Sequence, residues 1–387
     1  MSAPNSSVAL EILERLVAYE TVSDRSNLDC VAYIEDYLRS HGVEAKKIFN
    51  EDRTKANILA SIGPASRPGV VLSGHTDVVP ADHQVWTSSP WALRRQDGRL
   101  YGRGTVDMKG FVATVLATVP EMVNAELTAP IHIALSYDEE LGQRGVPSLI
   151  KALCEQVAPP KAVIVGEATA MKPVFGHKGN LSFFTNVKGR SYHSSRMDIG
   201  VSAVHVACRL VSWLDERMKA NRDAQTENGF TPGYTTLHCG KISGGHASNI
   251  IADECSFVTE IRSIPQEDPK AYEAEYSAFI EREILPEIQA IAPDSGVTLV
   301  RRAMVPGLRP DPGGAAELLV RDITGYSGPP LCVTYGTEGG QFQQAGWSSI
   351  VCGPGDIAQA HQADEYLEES EFERCLEFMQ TLVGRHK

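Results

Sequence analysis

Apolar residues in the first half of the chain recur with two different periods, which predict helices and buried strands in turn. Ile12 and Leu16 keep helical spacing, and a second helix is predicted from about Leu28 to a glycine cap at Gly42. A third, strongly apolar helix is predicted after Gly110. Buried strands are predicted in the segments NILASI, GVVLSG, IHIALSY and KAVIVGE. This alternation predicts an α/β fold in which helices flank a mostly parallel sheet.

The pattern changes near Gly179 and changes back after Pro306. Between these points, four alternating strand segments and two helices, at about Val201 to Lys219 and Pro269 to Ile291, predict a β-α-β-β-α-β series. Such a series builds an antiparallel sheet with two helices, which is compact enough to be an inserted α+β domain. The predicted domains are residues 1–178 with 303–387, and residues 179–302.

The composition restricts the class of protein. A chain of 387 residues with 42% hydrophobic residues is long enough to build two cores. The 36 basic and 49 acidic side chains give a formal net charge of -13, which argues against nucleic acid or an anionic membrane as the main partner. A small-molecule substrate fits this charge better.

The cysteines and the N-terminal segment indicate a compartment. Eight cysteines are scattered along the chain without a CxxC pair, so we expect reduced core residues and no disulfide framework. The segment MSAPNSSVALEILERLVAYE lacks the basic and apolar regions of a secretion signal. No segment reaches the roughly 18 apolar residues of a membrane span. We therefore expect a cytoplasmic protein.

Charged and imidazole side chains follow the predicted strands or lie in glycine-rich segments between them. They are His75, Asp77, Asp107, Asp138, Glu139, Glu140, Glu167 and His361. Each alone has an ordinary structural explanation, as a hydrogen-bonded histidine or a solvated turn. Because open α/β sheets place their sites at the carboxyl ends of the strands, we expect these side chains to meet at one sheet edge. There they would repel one another unless a cation neutralised them.

A pair of divalent cations would neutralise this edge. Three carboxylate ligands and a bridging hydroxide balance the four positive charges. In this interpretation His75 is a ligand and Asp77 orients its other ring nitrogen. Of the consecutive Glu139 and Glu140, one can bind metal while the other accepts a proton. Imidazole and carboxylate ligands without thiolate favour Zn²⁺, with Co²⁺ or Mn²⁺ as alternatives.

Several segments together resemble the M20 family of dinuclear zinc metallopeptidases and amidohydrolases, and within it the acetylornithine deacetylases. They are SGHTDVVP, YGRGTVDMKG, DEE, GEAT, HKG and GPGDIAQAHQADEYLE, followed in the inserted domain by YHSS, GGHASNI and EIRSIP. The resemblance implies that His75 and Glu167 bind one zinc, that Glu140 and His361 bind the other, and that Asp107 bridges them. It also implies that Glu139 is the general base and that the peptide between Asp107 and Met108 is cis.

The same resemblance implies roles for the inserted domain, as a lid and a dimerisation domain. His193 would donate a hydrogen bond to the developing oxyanion, often across a homodimer. Arg262 and Asn249 would bind the α-carboxylate of the substrate. In the catalytic domain, Glu338 lies where a substrate ammonium group such as that of ornithine would be accepted.

These expectations lead to one function with several alternatives. The leading prediction is metal-dependent hydrolysis of the amide bond of an N-acyl amino acid, such as N-acetyl-L-ornithine. Within the same chemistry, a desuccinylase, a dipeptidase or carboxypeptidase, and an aminoacylase remain open. A non-catalytic, ligand-binding homologue is a further alternative. The glycines of GRGTVD and GTEGG do not fit a nucleotide-binding Gly-x-Gly-x-x-Gly loop.

Overall fold

The computed structural model describes residues 3–387 and divides the chain into two compact units. The first unit comprises the residues up to Gly176, Leu308–Leu331 and Thr337–Lys387. The second unit comprises His177–Gly307 and Cys332–Gly336. The second unit is therefore inserted, for the most part, between two halves of the first.

Ten α-helices and fifteen strands are assigned within the described residues. The helices are α1 (Ala3–Ala18), α2 (Leu28–Ser40), α3 (Gly110–Asn124), α4 (Val146–Gln156), α5 (Ala203–Asp223), α6 (Pro269–Phe279), α7 (Leu285–Ile291), α8 (Ala315–Thr324), α9 (Gly339–Gln344) and α10 (Glu369–Arg385). The strands are β1 (Ala45–Phe49), β2 (Ala56–Ile62), β3 (Val70–His75), β4 (Arg94–Gln96), β5 (Arg99–Tyr101), β6 (Ile131–Ser136), β7 (Ala162–Val165), β8 (Val174–His177), β9 (Asn180–Lys188), β10 (Thr236–Gly244), β11 (Glu254–Arg262), β12 (Gly296–Val305), β13 (Leu331–Val333), β14 (Ser349–Val351) and β15 (Tyr366–Glu368).

The main sheet has eight strands in the order β1-β2-β6-β3-β7-β14-β8-β13. Its centre, β6-β3-β7-β14, is parallel, whereas β1, β2 and β8 pair antiparallel with their neighbours. Every residue of β3, β6 and β7 is buried, as expected for parallel strands covered on both faces. Helix α3, which is buried along most of its length, packs against β3, α1 and α10. The predicted helix-flanked α/β fold is confirmed.

The second unit contains a four-stranded antiparallel sheet in the order β10-β11-β9-β12. Strand β9 alternates, so that Phe183 and Val187 join a buried cluster with Leu210 of α5 and Tyr276 of α6. The elements follow one another as strand, helix, strand, strand, helices, strand. The single helix predicted over 269–291 is interrupted by a wider turn at Ile280–Ile284 before α7, whose first turn contains a proline that has no N–H to donate.

Two sequence-based expectations concern burial. All eight cysteines are free thiols, but only four of them, Cys30, Cys255, Cys352 and Cys375, are buried. Cys154 and Cys208 are exposed, so the expectation that the cysteines are core residues is right for half of them. The described part of the chain contains no helix with the length and apolar character that crossing a bilayer requires.

His132, in the middle of the main sheet, makes stability depend on pH. The side chain is fully buried, its Nδ1 lies 2.8 Å from Ser61 Oγ, and its Nε2 has no hydrogen-bond partner. Burial lowers the pKa of His132 to about 4, from 6.5. The unfolded chain therefore binds this proton between pH 6.5 and 4 while the folded chain does not, so acidification through that window favours unfolding.

Replacing His132 by asparagine is expected to reduce this dependence. Asparagine can keep the bond to Ser61 but does not titrate. Urea unfolding at pH 7.5 and 5.0 should show that the wild-type protein loses about 1–2 kcal/mol more stability than His132→Asn on acidification. Equal losses in the two proteins would show that the pKa of His132 is the same in the folded and the unfolded chain.

Candidate active site

The predicted site residues of the first unit lie at one edge of the main sheet. His75 is the last residue of β3, and Glu139 and Glu140 follow the end of β6. Glu167 follows β7 in the same way. Asp107 lies in the turn before α3, and His361 lies between β14 and β15. The parallel centre of the sheet therefore directs three of its strand ends toward the same place.

Asp107 lies between two imidazoles. Its Oδ1 is 2.9 Å from Nε2 of His75, and its Oδ2 is 3.0 Å from Nε2 of His361. The same nitrogen of His361 is 3.0 Å from Oε1 of Glu140, and that of His75 is 3.7 Å from Oε1 of Glu167. Two ligands of one tetrahedral zinc ion, each at 2.0–2.1 Å, are about 3.3 Å apart. These separations suit two sites that share Asp107.

The donor atoms are compact enough to hold cations. Those of His75, Asp107 and Glu140 all lie within 4.8 Å of one another, and so do those of His75, Glu139 and Glu167. All are imidazole nitrogens or carboxylate oxygens, which divalent zinc, cobalt and manganese accept. The residues present therefore fit two divalent cations. We use the name ligand cluster for the five residues for which the family resemblance implied metal binding, which are His75, Asp107, Glu140, Glu167 and His361.

The carboxylates at this edge raise one another's proton affinity. Burial and the neighbouring acids raise the pKa of Glu139 and of Glu167 well above the usual range. Burial and Asp107 also raise the pKa of Glu140. Burial opposes ionisation of Asp107 as well, but the hydrogen bonds to the two imidazoles outweigh it and hold the pKa of that carboxyl below its usual range. The buried carboxylates at this edge therefore favour a positively charged group beside them.

Asp77 lies behind the ligand cluster and contacts it in two ways. Nδ1 of His75 donates to the backbone carbonyl of Asp77 at 2.9 Å, while the Asp77 carboxylate lies 3.6 Å from the same nitrogen. This bond leaves Nε2 of His75 facing Asp107. The Asp77 carboxylate accepts hydrogen bonds from the backbone N–H groups of Glu139 and Glu140, at 3.2 and 3.4 Å. Asp77 thus contacts His75, Glu139 and Glu140, whereas the sequence predicted a contact with His75 alone.

A buried ion pair, which the sequence did not reveal, joins the Asp107 turn to the His361 loop. Arg103 and Glu365 are each 1% exposed, and Nη1 of Arg103 donates to Oε2 of Glu365 at 2.6 Å. The other oxygen of Glu365 accepts from the backbone N–H groups of Val106 and Asp107, at 3.1 and 3.3 Å. Both residues fall within segments that resemble the M20 family, which was the only sequence signal for them. The peptide between Asp107 and Met108 is cis, as the resemblance implied.

Glu338 lies inside the first unit and is 1% exposed. Ser73 Oγ donates to its Oε2 at 2.7 Å, and Ser136 Oγ donates to its Oε1. Burial raises the pKa of Glu338 to about 7. Both oxygens accept from serines of β3 and β6, so a substrate ammonium group would have to share the buried carboxylate with these two hydroxyls. That role stays a prediction.

The other predicted residues belong to the second unit. His193 and Asn249 are exposed and lie on adjacent segments, where the backbone N–H of Ser194 donates to the Asn249 carbonyl at 3.0 Å. Nδ1 of His193 is 2.8 Å from Ser195 Oγ. Arg262 is half-buried at the end of β11, and its Nε donates to Glu260 at 2.8 Å. The structure thus groups seven of the predicted residues, Asp77, Glu139 and the ligand cluster, at one edge of the main sheet, and it places Glu338 in the same unit.

Comparison with known proteins assigns the family. Residues 71–385 match the model of peptidase family M20/M25/M40. The chain belongs to this family. It is therefore a metallo-hydrolase, and the resemblance read from the sequence motifs is confirmed.

The M20 chain is similar to curated and solved members of the family. It is 35% identical to an acetylornithine deacetylase from Myxococcus xanthus over 370 residues, which cover 94% of this chain and 93% of that protein. It is 33% identical to the acetylornithine deacetylase of Shigella sonnei over 93% of this chain and 92% of that one. An M20 metallo-carboxypeptidase from Sulfolobus solfataricus shares the fold, with a TM-score of 0.76, 15% identity and coverage of 97% and 98%.

Proposed function

We propose that this M20 enzyme hydrolyses the amide bond of an N-acyl amino acid, with N-acetyl-L-ornithine or a related N-acetyl amino acid as its substrate. The observation that carries the proposal is the position of Asp107, whose two oxygens each lie about one hydrogen-bond length from a different imidazole, at 2.9 and 3.0 Å. The similarity to two acetylornithine deacetylases over more than nine-tenths of the chain supports the substrate class.

The ligand cluster would hold two divalent cations, with zinc as the proposed metal. His75 and Glu167 would bind one cation, Glu140 and His361 the other, and Asp107 both. When bound, the cations supply Lewis acidity that polarises the scissile carbonyl and lowers the pKa of water toward neutrality. The donor set contains no thiolate, so cobalt and manganese are also compatible with it.

Glu139 is the proposed proton carrier. Its carboxylate lies within 4.8 Å of the donor atoms of His75 and Glu167. Glu139 would take the proton of that water as the amide carbonyl is attacked, and would return it to the leaving amine. Its burial raises its pKa, which suits a residue that must both accept and release a proton near neutral pH.

The second unit would bind the remainder of the substrate. His193 would donate to the oxyanion, and Arg262 and Asn249 would bind the α-carboxylate through a guanidinium fork and an amide. We propose that the protein is a homodimer in which this unit forms the interface. His193 and Asn249 are exposed and contiguous, as a donor that reaches into a partner's site requires.

A substrate panel tests the proposal directly. Zinc-loaded enzyme is assayed against N-acetyl-, N-succinyl- and N-formyl-L-ornithine, N-acetyl-L-methionine and a dipeptide, with a chelator-treated sample as the control. We expect the highest kcat/KM for N-acetyl-L-ornithine and no turnover after chelation. Preference for N-acetyl-L-methionine, the succinyl compound or the dipeptide would indicate an aminoacylase, a desuccinylase or a peptidase. Absence of hydrolysis by protein that contains two metals would favour a binding homologue.

A further inference from the structure

Two glutamine side chains connect helix α9 to Glu139. Nε2 of Gln143 donates to Oε1 of Glu139 at 2.9 Å, and Nε2 of Gln341 donates to Oε1 of Gln143 at 2.9 Å. Gln143 is only 2% exposed, so little water competes for either bond. Oε1 of Glu139 is therefore bound by the amide of Gln143, and that amide is itself bound by Gln341.

We infer that Gln143 and Gln341 are positioning residues for proton transfer by Glu139; this inference rests on the proposed function. The last torsion of a glutamate side chain is broad, so a free carboxylate samples many orientations. A bond to Oε1 restricts this torsion, so the other oxygen, Oε2, would be held in a narrower range of positions for accepting a proton. Misplacing a reacting group by about 1 Å can lower a rate by about 100-fold, so this restriction affects turnover.

The backbone around Gln143 directs its side chain back toward Glu139. The N–H of Gln143 donates to the carbonyl of Glu139 at 2.8 Å, which closes a tight turn. Gln143 has φ of 59°, and Gly142 before it has φ of 88°. A residue with a Cβ rarely adopts this left-handed conformation, yet a glutamine occupies it here. The turn thus brings the amide within reach of the carboxylate four residues earlier.

The type of partner distinguishes the two consecutive glutamates. Glu140 lies 3.0 Å from the imidazole of His361, as a metal ligand in a shared site does. Glu139 is held instead by a neutral amide, which cannot neutralise it or form an ion pair that would hinder proton uptake. Because the Gln143 carbonyl accepts from Gln341, its N–H becomes a stronger donor to Glu139. Among the described residues Gln341 donates to Gln143 and not to Glu139, so it acts on Glu139 through Gln143.

A double-mutant cycle tests the inference. Gln143→Leu, Gln341→Leu and the double variant are compared with wild type, and Gln343→Leu serves as the matched control. Gln343 lies in the same helix, but its amide bonds the backbone of Arg309. For hydrolysis of N-acetyl-L-ornithine, or the best substrate of the panel, we expect Gln143→Leu to lower kcat about 10- to 100-fold with KM within twofold. Gln341→Leu should lower kcat about 3- to 10-fold.

Two further measurements separate positioning from general damage. All variants should retain two metals per chain, and Gln343→Leu should keep wild-type kcat. In the double variant, kcat should equal that of Gln143→Leu, because Gln341 has no route to Glu139 once Gln143 is gone. Additive losses in kcat, or a kcat of Gln143→Leu within twofold of wild type, would overturn the inference.

The chain of bonds can also be tested without turnover. In urea unfolding of the metal-loaded proteins, the two leucine substitutions should be non-additive, since they remove one continuous set of bonds. If wild-type protein hydrolyses no amide, the proposed function fails, and non-additive unfolding still supports the hydrogen-bonded chain. Additive unfolding would overturn the inference whatever the enzyme hydrolyses.

Discussion

Replacing Glu139 by glutamine is expected to lower kcat by about 100- to 10,000-fold while the protein keeps two metals per chain. Glutamine has the shape of glutamate, and its carbonyl can still accept the bond from Gln143, but it cannot carry a proton. Glu139 is not assigned to the ligand cluster, so the metal sites should survive the change. The measurement is the initial rate of amide hydrolysis alongside metal content by plasma mass spectrometry.

The control for this variant is Glu155→Gln, the same change at an exposed position of α4. It should have wild-type rate and metal content. If Glu139→Gln retained more than a tenth of the wild-type rate, another group would carry the proton. If it lost metal, Glu139 would be a ligand and the roles of the two glutamates would have to be exchanged.

Replacing Asp107 by asparagine is expected to remove metal from both sites. Each imidazole faces a different oxygen of this carboxylate, and asparagine offers one oxygen and one N–H₂ donor in the same place. Loss of a residue that merely supports a ligand typically costs 10–100-fold in metal affinity, so loss of a shared ligand should cost at least about 100-fold. The measurement is metal content after dialysis against buffered zinc.

Asp97→Asn is the matched control for Asp107→Asn. Asp97 lies in the turn between β4 and β5, is exposed, and has φ of 51°, which asparagine also tolerates. It should bind two metals with wild-type affinity. If Asp107→Asn bound two metals tightly, the two sites would not share this carboxylate. If it bound one metal tightly, the carboxylate would serve only the site that was lost.

The strand ends could be predicted because a strand that is buried on both faces consists of uncharged residues. An uncharged run such as Val70–Ser73 predicts a strand covered on both faces, and the rule for parallel sheets then places His75, Glu139 and Glu167 at one edge. His361 was expected at the same edge because it lies in the glycine-rich segment after a predicted strand, whereas its role as a metal ligand depended on the family motif. The pattern did not predict β4, whose residues are Arg94–Gln96, because its polar side chains carry no alternation.

The supporting bonds could not be predicted in the same way. Arg103 and Glu365 are far apart in sequence, and a chain with 36 basic and 49 acidic residues offers many other pairings. Only the tertiary structure brings Arg103 and Glu365 together. Gln143 gave no signal either, because a polar residue after an acidic turn is typical of a solvated loop. The grouping of these side chains at one edge was therefore foreseeable, whereas the contacts that orient them depend on the tertiary structure.

The position of β14 has a consequence for synthesis. This strand pairs with β7 on one side and β8 on the other, although both are translated long before it. A nascent chain therefore leaves one edge of β7 unpaired until β14 has been made, and an open apolar edge invites association with other chains. His361 emerges later still. Because His361 follows β14 in the chain, the complete ligand cluster would bind metal only after the strand that covers this edge of β7 has been made.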